Sequence, residues 1–183
     1  IDTSTIHLPN LTTLDLSKNK IKQIPNDFSK SFPALKELNL SDNFIKEFPV
    51  TDGSIPLTIE KLTIYNNEID VIPGYFKLFN QLKEFTIAYN NLSFVPELPE
   101  SLQILRVNDN KINEITPQKL PQLKSLHLFY NQLEQLPVNM ELPSLETLLL
   151  DHNKLTAFSI NKSFSSTLST LDISFNQISE IPS

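Results

Sequence analysis

His127, Asp151 and His152 are the residues of this chain best suited to chemistry: two imidazoles and a carboxylate, all ligand types that zinc accepts. Their spacing, however, follows that of the segments around them and matches no ligand motif, so no metal site is expected. A Ser–His–Asp relay has no better support, because no serine sits on a strained elbow and no buried acid stands ready to orient a histidine. The chain has no cysteine, which removes thiolate ligands, cysteine nucleophiles and disulfide scaffolds together. Its only glycines, Gly53 and Gly74, lie far apart, so neither a P-loop nor a dinucleotide-binding turn can be built. A net charge of −6 gives no basic footprint for nucleic acid. No apolar run approaches the roughly 18 residues of a membrane span, and residues 1–10 lack the pattern of a signal peptide. The expectation is a chain with no catalytic residue, metal or cofactor, no nucleic-acid partner and no membrane insertion.

What positions the remaining side chains is a repeat. Leu11, Leu14, Leu16, Asn19 and Ile21 set a pattern that restarts near residues 11, 35, 59, 82, 102, 123, 145 and 168. The asparagines are Asn19, Asn43, Asn67, Asn90, Asn110, Asn131, Asn153 and Asn176. Within each unit, pairs such as Leu14 and Leu16 alternate with period two, which predicts a short strand with one buried face. One unit cannot bury its own apolar set, but stacked units make a continuous core and a parallel sheet. Each asparagine stands where the chain leaves the strand. Its amide offers two donors and an acceptor to turn backbone that stacking would otherwise bury unpaired. The connections carry a second motif, an apolar residue before proline, as in Ile24-Pro25 and Val95-Pro96, and Thr116 breaks it after Ile115. Proline has no N–H, so it stops a further strand from pairing. Phe28, Phe32, Phe76, Phe79 and Phe164 predict an aromatic spine inside the outer wall.

The pattern Leu-x-x-Leu-x-Leu-x-x-Asn-x-Leu resembles the leucine-rich repeat family over nearly the whole chain. The resemblance implies an α/β-type solenoid. It would be a right-handed superhelical horseshoe with a parallel sheet on its concave face and a convex side of irregular and 3₁₀ pieces. Residues 1–183 would form a single solenoid of eight repeats. The Ile-Pro steps are most similar to those of intracellular members that bind small GTPases or sit beside cyclase and phosphatase domains. That likeness implies a non-enzymatic protein-recognition module in cytoplasmic signalling. Its partner would be a small GTPase, a phosphatase or a domain of the same polypeptide. The alternative is the regulatory region of a multidomain enzyme such as a protein phosphatase, an adenylate cyclase or a GTPase/kinase. An extracellular receptor ectodomain is a third reading, and missing cysteine caps favour a reducing compartment instead. The sequons at Asn10, Asn39, Asn91 and Asn161 are no more than chance supplies in so Asn- and Ser-rich a chain. Neither end shows a polar cap, so a fragment of a longer protein that self-associates through its ends is expected.

In such a solenoid, two outward strand positions per repeat and the two residues after them line the concave face. The first two repeats place small and polar residues there. Repeats three to seven bring Tyr65, Tyr89, Ile104, Arg106, His127, Phe129, Tyr130, Leu149 and His152. Tyrosine and arginine are enriched among residues that carry binding energy. This patch is the expected protein-binding site.

Overall fold

The computed structural model describes residues 6–50, 53–157 and 166–180. Eight strands of three residues build one parallel sheet: β1 (Thr13–Asp15), β2 (Glu37–Asn39), β3 (Lys61–Thr63), β4 (Glu84–Thr86), β6 (Ile104–Arg106), β8 (Ser125–His127), β9 (Thr147–Leu149) and β10 (Thr170–Asp172). Two further strands, β5 (Phe94–Val95) and β7 (Glu114–Ile115), pair with each other on the connections. The register is constant: Leu14 lies beside Leu38, Leu38 beside Leu62, Leu62 beside Phe85, and so on to Leu171. Period-two alternation explains the constancy, because a slip of one residue would turn every apolar side chain outward. The chain is therefore a parallel-sheet solenoid, in which outward residues at equal positions form rows running from repeat to repeat.

The core is one continuous cluster from Ile24 to Leu155. Phe28, Phe32, Phe76 and Phe79 lie in it, at most 4% exposed, whereas Phe164 falls outside the described residues. Among the described residues helix is confined to one turn, α1 (Phe28–Ser31), and a 3₁₀ segment at Gly74–Leu78. Among the same residues, repeats one and eight each pack against one neighbouring repeat. Their apolar residues Leu14, Leu16 and Ile173 are accordingly half-buried, and Leu171 is exposed.

The β5–β7 pair shows how proline governs the connections. Thr116 donates its N–H to the Val95 carbonyl at 2.9 Å. In the repeats on either side the same position is Pro96 or Pro137, which has no N–H to give. Among the described residues the small sheet thus falls at the step that carries a threonine, and the other step without proline, Phe158-Ser159, lies outside them. Nearby, the buried Gln118 accepts from Leu98 N–H and donates to the carbonyls of Pro96 and Thr116.

The asparagines bind their neighbours in one scheme. Asn67 Nδ2 donates to Leu40, Ile64 and Tyr65 carbonyls, and its Oδ1 accepts from Ile45 N–H. Asn43, Asn90, Asn110, Asn131, Asn153 and Asn176 repeat the arrangement, each reaching one repeat back. Among the described residues, Asn19 makes two local bonds, to the Leu16 and Ser17 carbonyls, and none to another repeat. The residue before every ladder asparagine is left-handed, with φ between 51° and 55°, and none is glycine. A side chain there costs roughly 1–2 kcal/mol, least for Asn and Asp. The turn keeps the conformation because the same residue's N–H is tied to the next repeat, as Tyr89 is to the Asn108 carbonyl at 3.1 Å.

Candidate interface on the sheet

The left-handed turns assemble a side-chain row that period-two reasoning alone does not describe. Lys18, Asp42, Asn66, Tyr89, Asp109, Tyr130, His152 and Phe175 occupy it in order. Consecutive members lie one strand spacing apart, about 4.8 Å, which lets planar groups meet. Tyr130 and His152 stack at 4.0 Å and 19°, and His152 and Phe175 at 4.2 Å and 18°. Tyr65, one position earlier in its repeat, lies against Tyr89 at 5.1 Å. His127 and Tyr130 both touch Phe129 at ring distances of 6.1 Å.

All nine patch residues sit on the outward side, and none is buried. The structure does not make them one apolar surface. It gathers Tyr65 and Tyr89 on one side and Phe129, Tyr130, His127 and His152 on the other, with Asp109 between. Ile104, Arg106 and Leu149 occupy strand positions beside these groups, Arg106 in register with Thr86 and His127. Two residues of the same surface stood outside the sequence-derived patch. Phe175 is 73% exposed and completes the ring stack. Asp109 lies at the centre of the row, with its Oδ2 accepting from Asn108 Nδ2 at 2.9 Å. The signal for both was the position immediately before the asparagine, read along all eight repeats.

Repeats one, two and eight use their outward polar residues on themselves. Asp15 Oδ1 accepts from the Ser17 N–H, Asn39 Oδ1 from the N–H and hydroxyl of Ser41, and Asp172 Oδ1 from those of Ser174. These serine contacts hold the Asp15 and Asp172 carboxyls below the usual aspartate range. An open hollow on repeats one to three is lined by Asp15, Glu37, Asn39 and Lys61 together with Leu14 and Leu38. At the position of Asp15, Asn39 and Asp172, repeats three to seven hold Thr63, Thr86, Arg106, His127 and Leu149, none of which is an Asp or Asn that could close its own turn through a carboxylate or amide oxygen.

His127 and His152 point to separate partners. His127 Nε2 meets the Ser125 hydroxyl at 2.9 Å, and His152 Nδ1 meets Asp151 Oδ2 at 3.0 Å. Among the described residues no three His, Cys, Asp or Glu side chains are grouped to hold a metal ion. Burial first, and the Arg106 charge second, hold the His127 imidazole below its ordinary pKa. The unfolded chain therefore takes up this proton at higher pH than the folded chain, and stability falls as the solution is acidified through and below the ordinary histidine range. A proton-detected titration should place the His127 midpoint below the ordinary histidine value. Arg106→Gln should raise it only partway, because burial remains. A midpoint unmoved by that substitution would exclude Arg106 as a neighbour in solution.

Two family profiles match the chain: "Leucine Rich repeats (2 copies)" over residues 9–52 and "Leucine Rich repeat" over residues 164–180. Epiphycan of Gallus gallus is 32% identical over 143 residues, which are 73% of this chain and 44% of that protein. Leucine-rich repeat serine/threonine-protein kinase 1 of Mus musculus is 34% identical over 140 residues, 72% of this chain and 7% of the kinase. The chain thus spans less than half the length of these relatives. Among solved structures, a chain from an octameric complex of Latrophilin 3, Unc5D and FLRT2, the last present as its leucine-rich repeat, is similar with a TM-score of 0.67. It is 25% identical, and the match covers 94% of this chain and 62% of that one.

Proposed function

The chain belongs to the leucine-rich repeat family, and from that premise we propose that it is a non-enzymatic module that recognises a protein through the outward side of its sheet. One observation carries the reading. Repeats one, two and eight close the polar residue at the second outward strand position onto their own turns, whereas the row across repeats three to eight leaves Tyr65, Tyr89, Tyr130 and Phe175 facing solvent. A flat face of exposed rings flanked by polar residues is the chemistry of a protein interface. The complex that contains the FLRT2 leucine-rich repeat supports a protein as the partner class. The finer proposal is a cytoplasmic signalling role with a small GTPase or phosphatase partner. The likeness to a kinase of which the match covers 7% supports the version in which this solenoid regulates a catalytic domain of the same polypeptide.

The test is proximity labelling with the full-length protein, followed by affinity measurement on the partner recovered. Tyr89→Asn, Tyr130→Asn and Arg106→Gln are the informative variants. Asparagine tolerates the left-handed turn at 89 and 130, so the fold is kept. Each variant is expected to lose more than about 1 kcal/mol of binding with an unchanged melting temperature. Equal affinity in all three would move recognition off this face.

A further inference from the structure

The proposal that follows rests on sheet-face recognition and names the chemistry of the group received. We propose that Asp109, standing between Tyr89 and Tyr130, receives a lysine or arginine side chain of the protein partner.

The geometry begins with the row of left-handed turns. Tyr89, Asp109 and Tyr130 are consecutive members of it. Tyr130 gives one ring face to His152, the next member of the row, and Asp109 is its neighbour on the other side. The two tyrosines are 48% and 49% exposed, and Asp109 is half-buried. A ring face attracts a cation through its quadrupole. A carboxylate flanked by two rings therefore offers a basic side chain both an ion pair and apolar contact for its stem.

Charge points the same way. Across the four outward positions of the eight repeats, seven carboxylates stand against Lys18, Lys61 and Arg106, a balance of −4. Lys61 is neutralised by Glu84 at 3.1 Å. Among the described residues Asp109 joins no ion pair, although seven lysine–glutamate pairs lie elsewhere on the surface. The Asp109 charge is also the first cause that pushes the Tyr89 hydroxyl above its ordinary pKa, and a hydrogen bond between the two side chains adds to it, so carboxylate and tyrosine are close neighbours. A basic partner would be drawn to this face over a range set by ionic strength.

The experiment is an amide chemical-shift titration of the 183-residue chain with three blocked peptides: Gly-Arg-Gly, its neutral citrulline isostere and Gly-Glu-Gly. The arginine peptide should shift Tyr89, Asp109 and Tyr130 together, with at least ten-fold weaker response to citrulline. Asp109→Asn keeps the turn, since asparagine suits positive φ, and should weaken the arginine peptide at least five-fold. Asp42→Asn, in the same row but without flanking rings, should leave it unchanged. Equal shifts for arginine and citrulline, or unaltered binding to Asp109→Asn, would overturn the proposal. Shifts on the sheet face with the glutamate peptide alone would overturn it too, while sheet-face recognition would stand. If no peptide moves the face, the basic-group proposal falls, and the partner affinities of the tyrosine and arginine variants decide the broader reading independently.

Discussion

Phe76→Ala is expected to destabilise the protein by about 3–5 kcal/mol, a range set by removing a fully buried ring and leaving a cavity. Phe76 has no exposed surface and lies in the 3₁₀ segment of repeat three. Its ring meets Phe48 of repeat two at 4.6 Å, Phe79 at 5.0 Å and Phe85 of β4 at 5.1 Å. It therefore joins three successive repeats. In a solenoid, stability is a sum of repeat terms and nearest-neighbour interfaces. Loss of this ring should weaken two interfaces at once and let repeats one and two unfold before the rest. Denaturation followed separately by tyrosine fluorescence and by amide exchange in β1 and β8 tests this. Coincident transitions, with a loss below about 1 kcal/mol, would refute the ring's joining role. Phe76→Leu, which keeps most of the apolar volume, should lose clearly less.

Strand positions, stacking order and the inward set were legible in the sequence because one rule is applied eight times. Period two decides which face each leucine takes, and the fixed offset to asparagine decides where the strand ends. Phe28, Phe32, Phe76 and Phe79 were readable as interior for a similar reason: connections of similar length can put large apolar groups only against the same core. The site was less legible. Period-two reasoning says nothing of a residue that has left the strand, so the left-handed turn that aligns Tyr130, His152 and Phe175 was hidden. Such a conformation carries no sequence signal when glycine is absent, because the cost is met by inter-repeat hydrogen bonds rather than by residue type. The self-closing of Asp15, Asn39 and Asp172 was written in the Asp/Asn-x-Ser spacing, a local turn device. The absence of a Pro at Thr116 was visible, but its consequence, a second two-stranded sheet, depended on which carbonyl lay opposite.

Asn131→Ala should cost about 1–3 kcal/mol, and Asn19→Ala under about 1 kcal/mol, though both residues hold the same place in the repeat. The difference follows from what each amide satisfies. Asn131 is 8% exposed and donates to the carbonyls of Val107, Leu128 and Phe129, while its Oδ1 accepts from the Ile112 N–H at 2.9 Å. The three carbonyls keep a second donor each, from Asn110 Nδ2, Asn153 Nδ2 and the Asp109 N–H, but alanine would leave the Ile112 N–H buried without its partner. The cost of burying an unsatisfied polar group exceeds the net gain of a typical hydrogen bond. Asn19 is exposed, and water can replace the two bonds it makes. The effect at 131 should also reach the interface. Tyr130 is held left-handed partly because the following amide is anchored, and its ring stacks on His152. Asn131→Ala should therefore release that stack. It should be visible as loss of the ring-current shift on the His152 side chain under conditions where the rest of the fold persists. Asn131→Asp keeps the acceptor, loses the donors and buries a charge, so it should be the most damaging of the three. Equal losses at 19 and 131 would mean that the asparagines act through turn propensity alone, and that the ladder between repeats contributes little to holding the aromatic row in place.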